Sequence, residues 1–382
     1  MAFVAIVIGL LATYAAWNLQ QWTEEQARRF ARGGTAERLH LLFENGHISE
    51  RVALALYRSG ISVQPRFALV GREGWLYLGD KFEGVASAAA GGDGSPPPVS
   101  TGRWSGQLLQ RQDWLQAQGV GSLFAIAPNK HTIYPEFAPA WLPFGKDATR
   151  ERLVAAALAG GVQIVDTAPV IGAGKCCRDV LYNRTDSHWT APAAFSGYAA
   201  VMQALAAQDP QLRALEESDV SFTLARGPAT GLAKLLRINQ LLPGDYDQWY
   251  EQRIHRRAPA QCFIKLDQDF RGSTDCVPVG DEPVVPTYFF ARELRNTDAL
   301  NARSLLLVQD SFGIAVSQYF NHSFQTVWHA HIAYLLNGER LRKFVREKRP
   351  DFVVFLVVER NLLRAMAYEF DGASHVVEAE RE

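Results

Sequence analysis

The chain has 382 residues, is 48% hydrophobic and 21% charged, and carries a formal net charge of −1. That is the balance of a globular protein long enough to bury a large core. It lacks the basic surplus by which proteins hold nucleic acid, so no nucleic-acid partner is expected. The aromatic content, nine Trp, twelve Tyr and twenty-one Phe, is mostly core packing, though such rings also stack on the apolar faces of sugars.

Ala2–Leu19 is an uncharged run, close to the shortest stretch that spans a bilayer. Trp17 and Trp22 stand where interfacial aromatics sit, and no small-x-small cleavage site follows, so residues 1–22 are expected to be an uncleaved membrane anchor. No Lys or Arg precedes the run, whereas Arg28, Arg29 and Arg32 follow it; charge count alone would keep the rest of the chain in the cytoplasm. Residues 23–60 read as a helical stalk with Phe30, Leu39 and Leu42 at amphipathic spacing. Phe67–Leu78 reads as two short strands around a Gly-bounded turn, and residues 85–101, rich in Gly and Pro, as a surface loop.

From Trp104 the pattern alternates. A helix to Gln118 stops at Gly119, and Val120–Ala127 is an apolar strand followed by Pro128-Asn129-Lys130. A helix over 148–159, a strand over Val162–Val165 and a helix over Ala191–Ala207 with Thr190 as N-cap come next. Residues 208–303 are irregular and read as an insertion covering one side of a site. Ser304–Val308 is a strand, Gly313–Tyr319 and Leu335–Lys348 are helices, and Phe352–Val358 is a continuous apolar strand. Strands apolar on both faces, alternating with helices, predict an α/β fold with a parallel sheet covered on both sides.

Asp186-Ser187-His188 places a carboxylate and an imidazole at i and i+2 in a polar, turn-like segment. There the acid can orient the ring and leave its second nitrogen free as a base. Leu305–Gly313 reads as a buried strand ending in Asp310-Ser311 at a sharp turn, so Ser311, His188 and Asp186 are expected to meet in space. Ser311, Asn129-Lys130 and Glu359-Arg360 all follow strand ends, the edge at which open α/β sheets bind ligands. Asn129, Lys130 and Arg360 are therefore candidate substrate contacts, and Tyr134 and Trp189 are further candidates; for Arg360 a structural ion pair with Glu359 or another carboxylate is the competing reading. Cys262 and Cys276 are a candidate disulfide across a polar loop, whereas adjacent Cys176-Cys177 leave a link to that pair open. No metal-ligand spacing is present, and His329-x-His331 reads as a strand-surface pair. Neither a P-loop nor G-x-G-x-x-G occurs, so no soluble cofactor is indicated.

Five segments in order resemble the alginate O-acetyltransferase family, whose catalytic domains look like circularly permuted SGNH hydrolases. They are Val70–Tyr77, Ala127–Glu136, Tyr182–Thr190, Asp310–Gly313 and Arg349–Leu362. Gln309 stands where SGNH hydrolases usually carry glycine, and Ser187 and Thr190 vary the Asp-Thr-His-Trp-Asn form of the motif. The resemblance implies an SGNH-like catalytic domain over 61–382 with an insertion at about 208–303, anchored in a bacterial inner membrane and facing the periplasm. It implies acetyl transfer through acyl-Ser311 to an exopolysaccharide such as alginate or cellulose, the donor being delivered by a membrane-bound O-acyltransferase. A carbohydrate acetylesterase and a non-catalytic polysaccharide-binding scaffold are the competing readings.

Overall fold

The computed structural model describes residues 46–89, 101–142, 149–177, 180–256, 262–272, 277–278, 289–335 and 338–362, and outside these blocks 15–16, 24–32, 34–35, 38 and 285. The strands are β1 (Ala68–Val70), β2 (Leu76–Leu78), β3 (Gly121–Ala127), β4 (Ile164–Asp166), β5 (Val220–Gly227), β6 (Asp247–Ile254), β7 (Cys262–Lys265), β8 (Val277–Pro278), β9 (Arg292–Arg295), β10 (Asn301–Gln309), β11 (Phe324–His331) and β12 (Phe352–Val358). The longer helices are α1 (Glu24–Arg32), α2 (Gly46–Arg58), α3 (Thr101–Ala117), α4 (Thr149–Ala159), α5 (Ala191–Ala206), α6 (Gly313–Ser323) and α7 (Gly338–Lys348).

The main sheet has the order β4-β3-β12-β10-β11-β9-β7-β8. The first five strands are mutually parallel and the last three join antiparallel. Period-two alternation sends neighbouring residues of one strand to opposite faces. Leu305, Leu307, Val354 and Leu356 pack with α5 and α6, while Leu306, Val308, Val353 and Phe355 pack with α3, α4 and α7. β12 is buried along its whole length because both faces are covered.

Several local outcomes differ from expectation. Phe324–His331, with its mixed FQTVWHAH sequence, is a full strand beside β10. His329 is buried rather than on a strand surface, and its Nε2 lies 2.8 Å from Asn321 Oδ1. Burial lowers the His329 pKa to about 3, with the Arg292 charge adding to the effect. Thr190 holds the N-cap position of α5, but its hydroxyl donates to Val180 O (2.6 Å) instead of capping. Within the segment expected as a stalk, α2 lies against β1 and β2 and buries Ala53 and Tyr57. The irregular 208–303 region supplies a separate β5–β6 hairpin and the three antiparallel strands.

No helix among the described residues is long and apolar enough to cross a membrane; of Ala2–Leu19 only 15–16 are described. Cys276 lies outside the described residues, while the Cys262 backbone pairs with Pro278 across β7 and β8.

Trp104 joins α3 to the turn that follows β12: its ring is fully buried and its indole N–H donates to Leu362 O at 3.0 Å. Trp104→Ala is expected to lower the unfolding free energy by about 3–5 kcal/mol, read as a lower urea midpoint at unchanged m-value.

Candidate active site

β10 ends at Gln309, and the turn that follows carries Ser311 into the start of α6. Asp310 holds this turn. One carboxylate oxygen accepts Phe312 N–H (2.9 Å), and the other accepts Val358 N–H (2.8 Å) and the Asn361 side-chain amide (2.9 Å). The turn that carries Ser311 is thereby tied to the end of β12. Gln309, fully buried, reaches toward His329, and its Oε1 has no hydrogen-bond partner among the described residues. A Cβ on Gly313 would meet that Oε1 at 1.9 Å and the Gln309 Cβ at 2.5 Å.

His188 Nε2 lies 2.9 Å from Ser311 Oγ, and its Nδ1 lies 2.7 Å from Asp186 Oδ1. Asp186 Oδ1 also accepts the His188 backbone N–H at 2.9 Å. The carboxylate therefore holds the tautomer with hydrogen on Nδ1, leaving Nε2 to accept the Ser311 proton. Burial pushes the Asp186 pKa up, but the His188 hydrogen bonds and the Lys130 charge outweigh it and hold the acid at about 2. The His188 side chain keeps 40% of its surface exposed. It opens with Ser311 onto a cleft of about 460 Å³ lined also by Trp189, Tyr250, Gln252, Ile314 and Gln318.

The Arg184-Thr185-Asp186 backbone is strapped by two side chains. Lys130 Nζ donates to the carbonyls of Leu76 (2.7 Å), Arg184 (2.7 Å) and Asp186 (3.0 Å), and lies 4.8 Å from the centre of the Trp75 ring. Burial lowers its pKa to about 7, against the pull of Asp247 and Asp186. Asp247 in turn accepts the N–H groups of Arg184 and Thr185, each at 2.8 Å. The loop before residue 232 closes over the top: Thr230 N–H donates to Thr185 Oγ1 (2.9 Å) and Leu232 N–H to Thr185 O (2.8 Å).

Of the other sequence candidates, only Trp189 lines the cleft, where its indole donates to Phe312 O at 3.0 Å. Lys130 is turned inward, its donors taken by backbone carbonyls. Tyr134 is also buried; its hydroxyl accepts Leu181 N–H (3.2 Å) and its ring packs on Trp75. Asn129 is buried as well; its N–H donates to Glu359 (2.8 Å) and its side-chain oxygen accepts from Arg360 Nη1 (3.2 Å). Glu359 faces Arg150 (3.4 Å), not Arg360. Arg360 has no ion pair among the described residues and lies 5.2 Å from the centre of the Phe312 ring, beside Ser311. Burial lowers its pKa, opposed by Asp310. Sequence reasoning missed Asp247, Gly231, Tyr250 and Gln252; all belong to the irregular insertion, and only the Gly in Ala229-Thr230-Gly231-Leu232 marked a tight approach.

Gly231 has φ +46° and ψ −107°, and a Cβ there would lie 2.5 Å from Asp186 Oδ2. Gly231→Ala is expected to cost about 1–3 kcal/mol of stability. It should also slow the labelling of Ser311 by a sulfonyl fluoride beyond what any unfolded fraction explains; thermal unfolding and intact-mass kinetics measure the two effects.

The chain resembles several solved structures. PatB1 of Bacillus cereus aligns with TM-score 0.56 and 15% identity over 78% of this chain and 97% of that one. A DHHW family protein from Eubacterium siraeum aligns with TM-score 0.52 and 16% identity, covering 78% and 95%. The O-acetyltransferase domain of AlgJ from Pseudomonas putida reaches 0.47 and 17%, covering 78% and 92%. At such identities the first two show a shared fold. No curated protein sequence matches the chain. Residues 68–262, just over half of the chain, match the family described as SGNH hydrolase-like domain, acetyltransferase AlgX. These residues hold the Asp186–His188 pair and the strap around it, and on that match the chain belongs to the SGNH hydrolase-like acetyltransferase AlgX family.

Proposed function

We propose that the protein is a polysaccharide O-acetyltransferase working through an acyl-serine, with Ser311, His188 and Asp186 as its catalytic triad. The observation that carries this reading is the hydrogen-bonded order Asp186–His188–Ser311 opening onto a cleft, within a chain of an acetyltransferase family. His188 Nε2 takes the Ser311 proton as Oγ attacks the carbonyl of an acetyl ester or thioester. Collapse of the tetrahedral species breaks the bond to the donor, whose oxygen or sulfur leaves with the proton from His188. A sugar hydroxyl then attacks the acetyl-serine while His188 accepts its proton, and that proton returns to Ser311 Oγ as the acetylated sugar departs. The Ser311 backbone N–H, for which no protein acceptor is found among the described residues, is placed to donate to the oxyanion.

Arg360, which has no ion-pair partner among the described residues and packs on the ring of Phe312, next to Ser311 in the chain, is the candidate for binding a donor oxygen or a uronate carboxylate through its planar fork. The acceptor is an exopolysaccharide such as alginate or cellulose, and a membrane-bound O-acyltransferase delivers the acetyl group. The chain acts in the periplasm, held to the inner membrane through residues 2–19. This part of the reading rests on the uncharged run Ala2–Leu19 and on the character of the family.

With p-nitrophenyl acetate and a panel of acceptor oligosaccharides, mass spectrometry should find acetylated sugar. Free acetate alone would mark an acetylesterase, and neither product a polysaccharide-binding scaffold. Ser311→Ala should abolish both transfer and acetate release at unchanged thermal midpoint, since it removes one oxygen at the cleft edge. Asp186→Asn should lower kcat by about 10⁴-fold while leaving detectable turnover, because the wrong imidazole tautomer still faces the serine.

A further inference from the structure

We propose that Asp247 is a positioning residue for the catalytic base: it fixes the backbone of Arg184 and Thr185 and thereby the direction in which Asp186 meets His188. The proposal rests on the triad reading above and adds to it a carboxylate from a distant part of the chain. Asp247 opens β6, in the insertion, and is only 4% exposed. Each of its hydrogen-bond partners is a donor: the backbone N–H groups of Arg184, Thr185 and Gln248, and the Thr185 hydroxyl. Among the described residues it forms no ion pair, so this cluster of donors is what compensates a costly buried charge. An amide at the same place would present its own N–H₂ to at least one of those donors. The geometry therefore calls for a carboxylate and not merely a polar side chain of that size.

The requirement reaches the reacting atoms in few steps. Thr185 is bonded covalently to Asp186, and Asp186 Oδ1 receives both the backbone and ring N–H of His188. A swing of the 184–186 segment would turn that oxygen away from Nδ1 and leave the ring free to rotate off Ser311. Further along, β6 continues to Tyr250 and Gln252, which line the cleft. One strand thus holds the base in register and forms a wall of the acceptor space.

The test compares the full chain with Asp247→Asn in two assays. Labelling of Ser311 by phenylmethylsulfonyl fluoride reads the base whatever acyl group the protein handles, and turnover of p-nitrophenyl acetate reads acetyl chemistry. Asp247→Asn should slow labelling and kcat by about 100-fold, the scale of a small misplacement, with KM unchanged. The pH–rate profile should change as well, because Asp186 then meets the His188 ring in a different geometry. Lys130, Arg184, Asp310 and Arg360, the other charged groups around the base, stay in place. Should Asp247→Asn fail to fold, Thr185→Val decides the matter: it removes the hydroxyl between Asp247 and Thr230 and should slow labelling, while Thr185→Ser restores it. A folded Asp247→Asn, or Thr185→Val, with wild-type labelling rate and pH profile overturns the proposal. Slowed labelling in a protein whose unsubstituted form never turns over acetate upholds the positioning role and overturns the acetyl reading instead. A serine that the reagent does not label in the unsubstituted chain overturns both.

Discussion

The site depends on one buried carboxylate that does no chemistry. Asp310 follows β10 directly and accepts hydrogen bonds from the residue after Ser311 and from two groups at and just past the end of β12. Adjacent parallel strands end with free backbone groups, and a turn leaving one of them has many directions open to it. By joining the Ser311 turn to Val358 and Asn361, Asp310 selects one direction. The parallel register of β10 and β12, set by apolar packing over Leu305–Gln309, then determines where the hydroxyl stands.

The same device recurs around the base. Lys130 and Asp247 are buried ionisable groups that both bond the Arg184–Asp186 segment, and neither has a direct ion-pair partner among the described residues. Each is satisfied by backbone dipoles, carbonyls for the cation and N–H groups for the anion. Removing either would strand several oriented groups at once, a larger loss than an exposed ion pair represents. The polar segment is held rigidly because its peptide groups act as the counter-charges.

Much of this was legible in the chain. The runs Val120–Ala127, Ser304–Val308 and Phe352–Val358 announce buried parallel strands by being largely apolar on both faces, and the helices between them follow ordinary stop signals. The meeting of Asp186 and His188 was readable because i, i+2 spacing is local, and that of Ser311 because a strand end points to one edge of the sheet. The direction of a side chain after a strand end was not readable. Asn129, Lys130 and Tyr134 occupy the expected edge, yet each turns inward, since their partners are carbonyls and rings brought from β2, residues 181–186 and Glu359. Asp247 was silent for a similar reason, and Gly231 marked a tight approach without showing to what. Their partners lie far along the chain, and the irregular insertion gives no period from which to place them. β11 was hidden by His329 and Gln325, polar residues in a strand whose buried His finds its acceptor on α6.

Gln309 and Gly313 have a consequence for how such sequences diversify. The Gln309 side chain, down to its Cβ, fills the volume that any side chain at 313 would need. A branch of relatives carrying glycine at the first position is free to place a bulkier residue at the second, whereas this one is not. Neither change is tolerated alone in the direction that crowds the pair: a side chain at 313 must wait for a smaller residue at 309. The order of substitutions is therefore constrained, and the two positions are expected to drift together, one on each side of the turn that carries Ser311.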